Sequence, residues 1–164
     1  MRPVYFQALL LAVSLLALGC GPPSDRALLS SFTKNRARLE ALVDSVMNDP
    51  SFAKFIEADG VSDGVQAYGL DPAEFQKYKV TLRRAGVLEI YDNRKWDGEV
   101  WFICHVPTIG HSSVIKGYAY RIERAGLEGR FRGRAVDSLD GWSRQSSTGY
   151  RWIEKGWYLV VSPY

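Results

Sequence analysis

The chain has 164 residues, of which 46% are hydrophobic, 24% charged and 13% aromatic, a balance that excludes a disordered or collagen-like chain and fits one folded domain. Lys and Arg number 21 against 18 Asp and Glu, a formal net charge of +3, which argues against a nucleic-acid partner. Two cysteines are too few for a disulfide scaffold.

The chain opens on a short basic start, Met1-Arg2, followed by an uncharged run from Val4 to Leu18 rich in Leu, Ala and Val. A bilayer-spanning helix needs roughly 20 apolar residues. The run is shorter than that and fits the apolar core of a signal peptide, with small residues at the cleavage site. An apolar anchor or an ordinary secretory signal followed by a chance cysteine would share the same run.

Ala17-Leu18-Gly19-Cys20 closes this segment. These four residues resemble the lipobox of bacterial lipoproteins, in which a small residue precedes an obligatory cysteine. The resemblance covers only the first twenty or so positions, and Ala17 stands where that family most often has Leu. It implies removal of residues 1–19, a diacylglycerol on the Cys20 thiol, usually acylation such as palmitate on the new amino terminus, and membrane lipid as the partner. Gly21 after the cysteine, rather than Asp, implies by the same analogy the periplasmic face of the outer membrane. The globular part resembles no family that its motifs identify.

Removal of nineteen residues, Arg2 among them, would leave 145, with Cys104 as the only thiol not lipidated. Residues 20–24 then form the lipidated cysteine and a short tether stiffened by Pro22-Pro23, and residues 25–164 a single domain. Ser24 is a good N-cap. Leu28, Phe32, Leu39, Leu42 and Val46 recur at helical spacing, with Lys34, Arg36, Arg38 and Glu40 on the opposite side. Asn48-Asp49-Pro50 breaks this helix and starts a second carrying Phe52, Phe55 and Ile56. Residues 59–70 are glycine-rich and read as a loop. Asp71-Pro72-Ala73-Glu74 is a compact start signal for a third helix, presenting Phe75, Tyr78, Leu82 and Ala85 and ended by Gly86.

From Val87 the pattern turns to strands: 87–91, 99–106, 113–122, 150–154 and 157–161, the last two joined at hairpin spacing by Lys155-Gly156. Residues 123–149 read as a long loop or an edge strand. The expected fold is α+β, with two or three N-terminal helices packed on one face of a mainly antiparallel sheet of about four to five strands.

Candidate chemistry is sparse. Cys104-His105 invites a dyad, but neighbouring strand residues point to opposite faces. Cys104 therefore reads as a core thiol, with His105 turned away from it. His105 and His111 are the only histidines; no further ligand at convergent spacing accompanies them, and neither metal nor cofactor is expected. The acidic turns at 59–64 and 92–99 lack the ligand pattern of a calcium loop. Arg130, Arg132 and Arg134 alternate, and with Arg121 and Arg124 form the one charge feature above background. They could line one side of a strand for an anionic ligand such as a lipid headgroup, or simply pair with Glu123 and Glu128 on a solvated edge. The aromatics, Trp101, Trp142, Trp152, Trp157, Tyr118 and Tyr120 among them, fit either a glycan groove or a core, with Trp96 and Trp142 in polar, turn-like surroundings.

The sequence thus points to a membrane-tethered envelope lipoprotein with a non-enzymatic accessory or binding role, its partner an envelope protein or an anionic ligand. The alternatives are a small hydrolase drawing its acid or base from Asp137, Asp140, His105 or His111, and a headgroup or glycan recognition module.

Overall fold

The computed structural model describes residues 22–59, 64–94, 97–106, 114–122, 134–142 and 147–163. Four helices precede a six-stranded sheet: α1 (Asp25–Asn48), α2 (Pro50–Ala58), α3 (Gly64–Ala67), α4 (Pro72–Ala85), then β1 (Glu89–Asn93), β2 (Glu99–His105), β3 (Val114–Arg121), β4 (Arg134–Ala135), β5 (Gly149–Glu154) and β6 (Trp157–Pro163). The α+β class is as expected, with both counts higher than the sequence indicated. The extra helix is the single turn α3, inside the stretch read as a loop. The extra strand is β4, two exposed residues at the sheet edge.

The start and stop signals act as their chemistry predicts. Ser24 Oγ accepts from the Ala27 amide at 3.2 Å, and Asp49 Oδ1 accepts from Ser51 and Phe52 at 2.9 and 3.3 Å. Asp71 Oδ1 caps α4 through Ala73 and Glu74. Gly86 ends that helix in the left-handed region at φ 74°, which an L side chain adopts only at a cost. Tyr78 then ties α4 to α2, its hydroxyl donating to Asp49 Oδ2 at 2.9 Å and to Glu74 Oε1 at 3.0 Å. Asp49 thereby serves as cap and tertiary acceptor at once.

The strand order is β1-β2-β3-β6-β5-β4. All pairs are antiparallel except β4–β5, which is parallel. The helical stripe of α1 (Leu28, Phe32, Leu39, Leu42 and Val46) is buried. Phe32 sits between Tyr118 of β3 and Trp157 of β6, with ring centroids 5.5 and 5.3 Å apart, and Tyr118 donates its hydroxyl to the Leu28 carbonyl at 2.9 Å. Each such fully buried side chain contributes on the order of 2 kcal/mol. Strand alternation puts Phe102, Tyr118 and Leu159 on this helix-bearing face. The reverse face carries a second cluster of Ala119, Tyr150 and Val160, flanked by Trp101 and Tyr158.

β2 and β3 run in register from Glu99↔Arg121 to Ile103↔Gly117, and then slip: His105, not Cys104, stands opposite Lys116. Gly117 permits this close approach, since a Cβ there would overlap the Phe102 carbonyl oxygen and lie 2.9 Å from Ile103 Cα. The irregularity changes the aim of the residues that follow it.

Candidate functional site

Lys116 lies on the core-facing row of β3 with Val114 and Tyr118, where a cation must find a partner. That partner is Asp25, the first residue of α1. Both are 2% exposed. Lys116 Nζ is 2.7 Å from Asp25 Oδ1, a contact ion pair without hydrogen-bond alignment at that oxygen. Asp25 Oδ2 accepts from the Leu139 amide at 2.8 Å and from Arg151 Nη1 of β5 at 3.0 Å. Asp140 completes the group: its Oδ1 accepts from the Asp25 amide at 2.9 Å and from Lys116 Nζ at 3.1 Å, while its side chain stays half exposed.

Two carboxylates and two cations, from α1, β3, β5 and the segment after β4, therefore meet at one end of the domain. Burial alone would push the Asp25 carboxyl up. The Leu139 amide, Lys116 and Arg151 outweigh that effect and hold it below its ordinary value. The position also suits the helix, because an acid in the first turn faces the positive end of its dipole. The charges satisfy one another. Removing one member of such a group leaves a buried charge uncompensated.

His105 borders this cluster. The register slip sets it across from Lys116, so the simple alternation that turned it away from Cys104 does not apply. Its Nε2 is buried with no hydrogen-bond partner among the described residues. Burial, and then the positive charge of Lys116, hold its pKa below the ordinary histidine value. Cys104 packs against the main core and donates its thiol to the Phe102 carbonyl at 3.7 Å. Burial pushes the thiol up to about 12, against a smaller opposing effect of the Tyr118 hydroxyl. A thiol so disfavoured as thiolate is chemically inert at neutral pH.

Cys20, His111, Trp96, Arg124, Arg130 and Arg132 lie outside the described residues. Arg134 is exposed on β4. Asp137 is exposed, and Asp140 is committed to the ion cluster. Among the described residues no three His, Cys, Asp or Glu side chains could hold a metal ion. None of the described helices is long and apolar enough to cross a membrane.

Several of the aromatics named from sequence are core residues. Tyr118 and Trp157 are core residues, and Trp142 is half-buried, packed on Gly149 with its Nε1 donating to the Ser147 carbonyl at 2.9 Å. Among the described tryptophans, Trp152, at 65% exposure, stands out in solvent. On the reverse face the buried Glu99 accepts from Trp101 Nε1 at 2.9 Å and from the Tyr150 hydroxyl at 2.8 Å. A mixed-charge cleft of about 160 Å³ lies between α1 and the β5–β6 hairpin, lined by Arg36, Glu40, Asp44, Tyr120, Glu154 and Lys155. Arg36 spans it, pairing with Glu40 at 3.0 Å and Glu154 at 3.1 Å.

Sequence reasoning passed over Asp25, Lys116 and Arg151. A signal was present: Asp25 falls on the inward stripe of α1 with Leu28 and Phe32, and Lys116 on the inward row of β3 with Tyr118. Opposite charges on two faces that must pack together call for each other. Comparison of the chain with family models, with curated proteins and with solved structures returned no match.

Proposed function

We propose that the chain is the precursor of a bacterial envelope lipoprotein, cleaved before Cys20, acylated there, and held on the periplasmic face of the outer membrane as a non-enzymatic accessory or binding domain. The observation that carries this reading is the sequence Ala17-Leu18-Gly19-Cys20 at the end of an uncharged apolar run. In the sequence, Cys20 stands five residues before Asp25, the first residue of α1. A non-enzymatic role is supported by the ion cluster, whose acids and bases are spent on one another. It is supported also by a thiol held in its protonated form.

Expression of the full chain with metabolic fatty-acid labelling tests the anchor. The wild-type protein should incorporate label, lose residues 1–19 and sediment with membranes. Cys20→Ala should incorporate none and leave the membrane fraction. Label incorporation by Cys20→Ala, or an unlabelled wild type, refutes the reading.

A further inference from the structure

The reach of the chain between the acylated residue and the first buried one constrains how the domain meets a lipid surface. This inference rests on the reading of Cys20 as the anchored residue. Five residue steps separate Cys20 from Asp25, and fully extended they span at most about 18 Å. The tether cannot easily be lengthened by unwinding the first turn of α1. That would pull Asp25, 2% exposed, away from Lys116, Arg151 and the Leu139 amide together. It would also leave the buried Lys116 ammonium with the half-exposed Asp140 as its remaining partner in the cluster.

From this fixed point α1 runs for 24 residues, about 35 Å at 1.5 Å per residue. Its far end is held as well, by Arg94 Nη1 donating to the Val46 carbonyl at 2.8 Å. A rigid element about twice as long as its tether cannot be inverted on it. We propose that the pole of the domain formed by Asp25, Lys116, Asp140 and Arg151 faces the lipid bilayer, and that the pole at Asn48 points away from it. The cleft spanned by Arg36 and Glu154 is then carried clear of the bilayer, on the side open to the compartment.

The test uses the full lipidated chain in phosphatidylethanolamine–phosphatidylglycerol vesicles that carry a nitroxide on a fraction of the headgroups. A fluorophore is attached through Asp137→Cys, two residues from Leu139, or through Asn48→Cys; both positions are exposed. Cys104, half-buried, is replaced by Ser in both labelled chains so that the fluorophore has a single site. Quenching at position 137 should exceed that at position 48 several-fold. Equal quenching, from a domain lying flat or tumbling, overturns the orientation while leaving the anchor intact, and stronger quenching at 48 does the same. Failure of the labelled chain to float with the vesicles overturns the anchor, and this inference with it.

Discussion

Removing the Lys116 ammonium tests whether the cluster at the start of α1 holds the fold together. Lys116→Met keeps most of the side-chain volume on β3 and deletes the charge. Asp25 then remains 2% exposed with Arg151 at 3.0 Å and the Leu139 amide at 2.8 Å as its partners. Breaking a buried pair by deleting one member costs about 3–5 kcal/mol, because an uncompensated charge stays behind. The surviving Arg151 contact places this case near 3 kcal/mol. For a chain of this length that corresponds to a fall of roughly 10 °C in Tm.

Asp25→Asn should cost about 2 kcal/mol, since Lys116 keeps the half-exposed Asp140 at 3.1 Å. The double variant leaves neither charge stranded and should cost clearly less than the sum, with a coupling energy of about 2 kcal/mol or more. Urea unfolding of the unlipidated chain, followed by tryptophan fluorescence, gives all three values. Strict additivity, or a Lys116→Met loss under about 1 kcal/mol, would show that water already solvates the pair and would refute the reasoning.

Four further outcomes are expected. Gly117→Ala drives a methyl group into the β2 backbone at the register slip; a loss of about 3 kcal/mol or more in urea, above the effect of Gly141→Ala, is expected. Stability should fall with acid in two stages. His105, whose folded pKa is depressed, contributes fully above its unfolded value near 6.5 and loses that contribution as pH drops below it; Asp25, likewise depressed, keeps its contribution above about 3.9 and loses it through its lower folded pKa. A Tm flat from pH 7 to pH 3 would contradict both. Iodoacetamide at pH 8 should modify the half-buried, protonated Cys104 slowly in the folded chain, and the labelling rate should rise as urea opens the fold. Finally, if the Arg130, Arg132 and Arg134 row reads lipid headgroups, the unlipidated chain should bind anionic vesicles at low salt and release them at moderate salt; absence of binding at low salt removes that role.

Local chemistry made much of the fold legible. Ser24, Asp49, Asp71 and Gly86 act where cap preferences place them, and Lys155-Gly156 turns the last hairpin, with Gly156 at φ 76°. The strands agree with the β-branched and aromatic runs to within about two residues. Non-local geometry was not legible. Arg151 and Asp25 are 126 positions apart; periodicity puts each on an inward-facing row, but does not say which inward charges meet across the core. The slip between Ile103 and His105 was equally hidden, because alternation assumes an unbroken ladder and only the approach of Gly117 to β2 shows where it breaks. The reach of Arg94 to the end of α1 belongs to the same class of contact.

The placement of Phe32 between Tyr118 and Trp157 bears on the order in which the molecule can assemble. Phe32 on α1 meets its ring partners only when β3 and β6 exist, and β6 is the last of the described strands in chain order. Until then only α2 and α4 are there to cover its apolar stripe, and helical propensity alone seldom holds such a segment. Consolidation of this contact therefore waits for β6, whatever has formed before it.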